Sequence, residues 1–464
     1  MKFILLAMLG VLPAVSGAQT PPLPAALPED FLPGLRDILY SAMQQSPQMI
    51  AHNIDLAAQE ANRYQQAAQE WPSLSGGVGY LDSRSAVTLR KTFATGSTSS
   101  NGPIYNLNFN QPIYHWGALQ AATDIANLQV KTSERQYADA YRQLASLIRS
   151  QYLSLIVQKA QMHNAHYALD QANTALGVVD ERFKNKAATP GEVDGAHMQV
   201  DDASLAMDRV AEDFKHAKRL LELMAGSPEL SDDSVPEEIP KPVYSAEMPE
   251  ALMRDFEGDG LDKTFQAEIY DYQIKQSELN YKIAKYRLYP RLDFGLSFSQ
   301  QYQAQVGVLP TGQSSVSQKP FFYDSATLMA NWSIFDGFAT RGAKLAALAS
   351  KRAAERNRQN YLDQTIEQAR YLESQIGFAA RAMALTEKRF SISEGVLQQA
   401  KDNLKLGTGS QANVDQATAS FYQWQGAVFN ARIELFSRWS DYLSLLGIDP
   451  VLNNLPAHFD RNAK

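Results

Sequence analysis

Apolar and polar residues follow two different periods along this chain, and one period gives way to the other twice. Residues 332–341, WSIFDGFATR, carry an alternating apolar run that stops at Asp336-Gly337 and becomes a long polar and alanine-rich stretch. Residues 111–120, QPIYHWGALQ, do the same, and Ile113-Tyr114 stands 221 positions before Ile334-Phe335. Alternation with period two marks a strand with unlike faces, whereas steps of three and four mark a helix. The offset recurs downstream. Val193-Asp194 matches Val414-Asp415, and Gly226 matches Gly447, each glycine closing a helical segment. Upstream, Trp71-Pro72-Ser73-Leu74 matches Tyr289-Pro290-Arg291-Leu292 at offset 218, which fits a loop of different length between. The pattern predicts one plan used twice, over residues 19–226 and 263–447: helix, strand, loop, strand, very long helix, turn and return helix. Residues 227–262 are rich in Pro and acid and read as an irregular connector, and 448–464 as a polar tail.

The long helices carry a heptad. Leu348, Leu362, Ala369, Ile376, Met383, Phe390, Leu397 and Leu404 fall seven apart, broken at Glu355; in the first copy Tyr141, Ile148, Leu155, Met162, Leu169, Leu176 and Phe183 do so, broken at Glu134. The return helices alternate steps of three and four from Val193 to Met224 and from Val414 to Leu445, with Arg438 the exception. A sustained 3.5-residue repeat predicts helices that coil around one another with a left hand. From Gly337 to Leu404 is 68 residues, or about 100 Å of helix. On the helices alone, a secreted coiled-coil structural or adhesion protein accounts for the chain as well as anything else.

The strands change that. Leu292, Phe294, Leu296, Phe298 and Tyr302 alternate with Asp293, Gly295, Ser297 and Ser299; Tyr105, Leu107 and Phe109 alternate with Asn106, Asn108 and Asn110. Leu74, Val78 and Tyr80, and Leu328, Ala330, Trp332 and Ile334, follow the same rule. A soluble sheet with one buried face alternates too. Four such segments of about ten residues, paired around polar loops at 82–103 and 303–322, match strands with one face to lipid and one to a water-filled lumen. Four strands close no barrel, and lipid tolerates no open edge, so copies of the chain must associate. Two copies supply 8 strands and three supply 12; periodicity does not choose between them.

Composition adds exclusions. The net charge of −7 over 464 residues gives no nucleic-acid footprint, and the absence of cysteine removes disulfides, thiol chemistry and a lipid anchor on Cys. Lys2, the apolar run Phe3 to Leu12 and Ser16-Gly17-Ala18 before Gln19 read as a signal peptide over 1–18. No later stretch approaches the roughly 18 apolar residues of a membrane helix. No nucleophile–base pair or phosphate loop stands out, so no enzyme and no cofactor are expected. His163 and His166 share a helix face without a third ligand and read as surface histidines, not a metal site.

The layout resembles that of the TolC-like outer-membrane efflux proteins over nearly the whole mature chain. The resemblance rests on Ser46-Pro47-Gln48-Met49 in the first helix and on the Pro-x-Leu motifs at 72–74 and 290–292. It rests also on the strand-to-helix corners at Ile113, Tyr114, Asp336 and Gly337, and on Leu404-Lys405-Leu406-Gly407-Thr408-Gly409-Ser410 with Val414 after it. It implies a mainly α fold with membrane β: a homotrimer whose 12-stranded β-barrel in the outer membrane continues as a long α-helical barrel through the periplasm. It implies a passive exit duct for efflux or type I secretion, served by a periplasmic adaptor (membrane fusion) protein and an inner-membrane transporter. The turns at 184–192 and 405–413 would form the periplasmic tip, with Glu192 and Asn413 at the family's aperture positions and Lys186, Thr189, Gly407, Thr408, Gly409 and Ser410 in the adaptor-docking turns. From the residues alone, Thr189-Pro190-Gly191-Glu192 reads first as a helix start with a capping box, ahead of an aperture role for Glu192. Gly407 suits a left-handed helix end, and its counterpart is Lys186.

Overall fold

The computed structural model describes residues 27–89, 94–226, 230–308 and 314–455. The expected signal peptide, the tips of both strand loops and residues 456–464 of the tail lie outside them. Element lengths repeat with the predicted offset. The first copy has α1 (Pro28–Phe31), α2 (Pro33–Gln45), α3 (Pro47–Ala68), β1 (Ser73–Leu89), β2 (Ala94–Tyr114), α4 (Ala118–Lys184) and α5 (Pro190–Ala225). The connector holds α6 (Glu247–Asp255), and the second copy has α7 (Phe265–Tyr286), β3 (Arg291–Val308), β4 (Ser314–Asn331), α8 (Ala339–Lys405) and α9 (Gln411–Leu446). The long helices α4 and α8 each run 67 residues, and the return helices α5 and α9 each run 36. The pair α3 and α7 are 22 residues each. Ser46 separates α2 from α3 because the residue before a proline is pushed out of the α region; it sits at φ −59°, ψ 131°.

By compactness the chain divides into two units. Of the described residues, those within 1–41, 146–253 and 371–443 form one, and those within 42–145, 254–370 and 444–464 form the other. In the first, the heptad lines are the packed lines. Leu362, Thr365, Ala369, Leu372, Ile376, Ala379 and Met383 begin in the second unit, cross into the first and are all buried. Upstream of them the buried residues are Thr340, Ala347 and Ala354, one position ahead of the expected Leu348 and Glu355. The apparent break at Glu355 is therefore a shift of the seam, a local stutter that relaxes the supercoil. Arg358 lies at the shift and binds Asp271 (2.8 Å) and Asp262 (2.9 Å).

The second unit holds a four-stranded antiparallel sheet in the order β1-β2-β3-β4. Its register puts Leu74, Phe109, Leu296 and Ala326 in one cross-strand row, and Gly76, Leu107, Phe298 and Asp324 in the next, so that these two rows are apolar but for the acid on β4. The opposite face carries the rows Ser75, Asn108, Ser297, Ser325 and Gly77, Asn106, Ser299, Tyr323. Ser297 Oγ donates to Asn108 Oδ1 at 2.9 Å. A Cβ on Gly77 would lie 2.5 Å from Asn106 Oδ1, so that glycine makes room for the asparagine. The apolar face is left open: Leu74, Val78 and Leu328 are each 67–79% exposed.

Several boundaries differ from expectation. The strands run on through most of the segments expected as loops: β1 reaches Leu89 and β2 starts at Ala94 within 82–103, and β3 reaches Val308 and β4 starts at Ser314 within 303–322. β4 stops at Asn331, so Trp332 and Ile334 lie beyond the strand. Asn331 pairs with Arg291, the first residue of β3, and Pro290 before it has no N–H to extend the ladder. Trp332 instead donates its indole N–H to the Leu288 carbonyl at 2.9 Å. The connector is not irregular throughout. It buries Val235 and Ile239 and forms α6, because basic side chains on distant helices reach it. Lys159 Nζ donates to the Val235 carbonyl at 2.6 Å, and Arg432 donates to the Ile239 carbonyl at 2.5 Å.

Candidate functional site

Two pairs of chain reversals carry the predicted site residues. The corners between sheet and long helix lie in the second unit, and the helix–helix turns lie in the first.

Each corner is made by two consecutive residues in the left-handed region. In the first copy these are Trp116 (φ 57°) and Gly117 (φ 75°); in the second they are Gly337 (φ 62°) and Phe338 (φ 68°). The backbone is matched position by position, yet the glycine falls second in one corner and first in the other. Each corner thus holds one bulky aromatic in a conformation that L-residues disfavour by about 1–2 kcal/mol. Surrounding bonds hold it there. Trp116 donates to the Pro290 carbonyl at 2.8 Å, and its ring meets Tyr114 and Tyr289 with centroids 4.9 and 5.0 Å away. Phe338 meets Phe335 edge-on at 5.5 Å. Asp336 accepts from the Thr340 hydroxyl (2.6 Å) and backbone N–H (2.8 Å), which starts α8 and holds its carboxyl below the usual range. The matched position in the first corner is His115, which bonds Asp293 at 2.9 Å instead. Ile113, Tyr114, Ile334 and Phe335 are about half to three-quarters exposed, so each corner presents apolar and aromatic surface beside the sheet's open face. Trp and Tyr collect where lipid meets water.

The turns also share a backbone. Lys186 (φ 57°) and Gly407 (φ 73°) both terminate a long helix in the left-handed conformation. Ala187 N–H returns to the Arg182 carbonyl (2.7 Å), and Thr408 N–H returns to the matched Asn403 carbonyl (3.0 Å), the six-to-one bond of a Schellman end. Gly409 also bonds that carbonyl at 3.0 Å, and a Cβ on it would meet Asn403 at 3.1 Å. The return helices start differently. Thr189 Oγ1 accepts from Glu192 N–H (3.3 Å) while the Glu192 carboxylate accepts from Thr189 N–H (2.6 Å), a complete capping box. The Thr189 backbone N–H first, then its hydroxyl, which donates to the same carboxylate at 3.0 Å, and Arg182 3.7 Å away hold the Glu192 carboxyl below its usual range. In the second turn Ser410 caps Asn413 N–H at 3.3 Å. The structure thus brings Lys186, Thr189 and Glu192 together, and Gly407, Thr408, Gly409, Ser410 and Asn413 together.

Sequence patterns missed the ion pairs. Arg149, 2% exposed, binds Glu29 through Nε (2.9 Å to Oε2) and Ser440 Oγ (2.9 Å). Glu387 is held by Lys241 (2.6 Å) and Arg432 (3.2 Å); burial pushes its carboxyl up, but the two cations keep it below the usual range. A charge inside an apolar run, as in Leu147-Ile148-Arg149-Ser150, was the one available signal. His163 and His166 each lie near one carboxylate, Glu237 at 3.5 Å and Asp170 at 3.7 Å, and no group of three metal-binding side chains occurs among the described residues. None of the described helices is long and apolar enough to cross a membrane.

Comparison with known proteins agrees with this geometry. No curated sequence matches the chain significantly. Solved structures do. The outer membrane protein VceC from Vibrio cholerae is similar at a TM-score of 0.60 and 19% identity, over 89% of this chain and 96% of that one. The Campylobacter jejuni CmeC outer membrane channel is similar at a TM-score of 0.63 and 15% identity, over 92% and 90%. The open-state MtrE outer membrane channel of Neisseria gonorrhoeae is similar at 0.59 and 15%, over 91% and 89%. The model of the outer membrane efflux protein family matches residues 38–227 and 271–447, one stretch in each repeat. A secreted coiled-coil structural protein is thereby set aside: this chain belongs to the outer membrane efflux protein family, and it is an efflux duct of the outer membrane that extends into the periplasm.

Proposed function

We propose that three copies of the chain close a 12-stranded barrel, continue it as a ring of 12 long and return helices, and conduct cargo passively. The sheet carries this reading. It has two unlike faces and two unpaired edges, β1 and β4, and lipid tolerates neither edge. Eight strands from two copies would give a barrel that side chains fill, whereas a duct needs a wider ring. The row Asn106, Asn108 and Asn110 would line the water-filled side. The outer face of Leu74, Leu296, Phe298 and Leu328 would meet lipid. A passive duct needs a separate energy source, which an inner-membrane transporter reached through a periplasmic adaptor would supply.

The helix–helix turns would form the periplasmic tip. Lys186, Thr189, Gly407, Thr408, Gly409 and Ser410 would dock the adaptor at two unequal sites per chain, with Leu406 76% exposed beside the second. Glu192 would stand at the aperture three times over, its charge shared with the capping box and Arg182; Asn413 would supply three neutral positions. The deciding measurement is the mass of protein extracted in detergent from outer membranes, by light scattering corrected for detergent. Three chains per particle are expected; one or two would overturn the closure. In bilayers, Glu192→Gln should raise single-channel conductance, and unchanged conductance would reduce Glu192 to a helix cap. Gly407→Asp should abolish efflux while the protein still reaches the membrane; intact efflux would end the docking assignment.

A further inference from the structure

In the first unit the in-chain contacts order the helices. Tyr167 of α4 meets Tyr422 of α9 with ring centroids 5.4 Å apart, and Phe390 of α8 meets Phe421 of α9 at 5.2 Å. Arg182 of α4 and Glu192 of α5 face each other across their turn. The row therefore runs α5, α4, α9, α8, with a first-copy return helix at one end and a second-copy long helix at the other.

Among the described residues, both ends carry exposed apolar surface. On α8, Tyr371, Phe378, Leu385 and Ile392 fall seven apart and are each 53–61% exposed. The matched positions of α4 are Ser150, Val157, Asn164 and Gln171, so the stripe is not a by-product of the repeat. On α5, Met198 and Leu205 are 63% and 69% exposed. The charges beside the stripes are opposite. Arg381 and Lys388 flank the one on α8, and Asp201 and Asp208 flank the one on α5; all four are exposed.

The repeat fixes how they would meet. The α4–α9 junction joins a long helix of one copy to a return helix of the other, and the same kind of junction between α8 and α5 is left unmade at the two ends of the row. Moving the in-chain pair Tyr167–Tyr422 by the 221-residue offset gives Lys388 opposite Asp201. One heptad further along this antiparallel pair, Arg381 falls opposite Asp208. Leu385 falls beside Leu205, and Ile392 beside Met198. Inside the chain the counterparts of Arg381 and Asp208 are the neutral Ala160 and Phe429. We infer that α8 of one chain packs on α5 of the next through two ionic rungs, Lys388–Asp201 and Arg381–Asp208, with Leu385, Ile392, Met198 and Leu205 between and beside them. This rests on the reading that several copies close a ring. The contact is head-to-tail, and such contacts close rings or run on as filaments. The ionic rungs keep α5 from settling on the neutral face of α4, which would have the same backbone. The second unit, taken by itself, has the same polarity, since its free sheet edges are first-copy β1 and second-copy β4.

The chain has no cysteine, so Leu205→Cys with Leu385→Cys gives a clean cross-linking background. Oxidation in outer membranes should give a disulfide-linked ladder that ends at three chains, and either single variant should give none. Self-linking by Leu385→Cys alone, or a wild-type particle of three chains with no ladder from the double variant, would overturn the seam and leave the three-chain reading standing. A ladder ending at another number would keep the seam and overturn the count. Charge exchange gives a second readout. Arg381→Glu with Lys388→Glu, or Asp201→Lys with Asp208→Lys, should cut the fraction of assembled particles at least tenfold at low salt, and all four changes together should restore it. Assembly unaffected by either pair, or no recovery in the fourfold variant, would overturn the ionic rungs.

Discussion

The two repeats place an arginine at matched positions and give it opposite surroundings. Arg149 is 2% exposed and shares its guanidinium between Glu29 and Ser440 in the first unit. Arg370, 221 residues on, lies in the second unit with a side chain 56% exposed, beside Glu257 (3.0 Å) and Glu367 (3.3 Å). The residue type, helix and heptad phase are the same. What differs is the preceding segment of the same chain: the short helix α1 brings Glu29 onto an Arg149 that is buried, whereas the segment that follows α6 brings Glu257 onto an Arg370 that stays exposed. Duplication copied the helices, and the segments that cover them diverged.

The largest expected effects test that contrast directly. Glu29→Ala removes the carboxylate that compensates a buried guanidinium and should cost about 3–5 kcal/mol of stability. Glu257→Ala removes one partner of an exposed arginine and should cost about 0–1 kcal/mol. Denaturant midpoints in detergent compare the two. Equal losses would mean that Arg149 is effectively solvated and that the first repeat's cover is loose.

A second contrast lies in the turns, where the backbone agrees and the residues do not. Lys186 and Gly407 occupy the same left-handed helix end. A side chain there costs about 1 kcal/mol relative to glycine. Lys186→Gly should therefore stabilise by up to about that amount, and Gly407→Lys should destabilise by a similar one. If Lys186→Gly instead weakens efflux without changing stability, the lysine is kept for what it touches outside the chain.

Much of this was legible beforehand because it is local or periodic. The four long and return helices, the turns between them and the corners follow from heptads, alternation and single glycines, and each falls within a few residues of its expected place. Pairing over long sequence distances was not legible. Arg149 and Glu29 are 120 residues apart, and Arg432 reaches Ile239 across 193. No period connects such positions, so the connector read as irregular when basic side chains in fact pin it. The end of β4 was misplaced for a related reason: alternation continues through Trp332 and Ile334, but a strand ends where its partner does, and that partner is set by Pro290. Lys186 was legible as a departure from Gly407, though not as the same conformation adopted at a cost.

The smallest effect concerns how the return helices begin. α5 opens with a capping box whose carboxylate, Glu192, titrates; α9 opens on Ser410 and Asn413, neither of which does so in the acid range. The folded Glu192 carboxyl is held below its ordinary value of 4.5. Its contribution is therefore complete above that value and is lost as pH falls through the lower folded value. Acid should fray the first turn of α5 and leave α9 alone. Hydrogen-exchange protection at Val193 and Asp194, against Val414 and Asp415, reads this within one sample. Thr189→Ala should weaken the pH dependence and remove about 1 kcal/mol of capping, because the carboxylate loses the hydroxyl it shares but keeps the backbone N–H of residue 189, the larger cause of its low value. Equal acid fraying of both helices would show that the carboxylate half of the box adds nothing to the start of α5, and would leave Glu192 to act on the aperture alone.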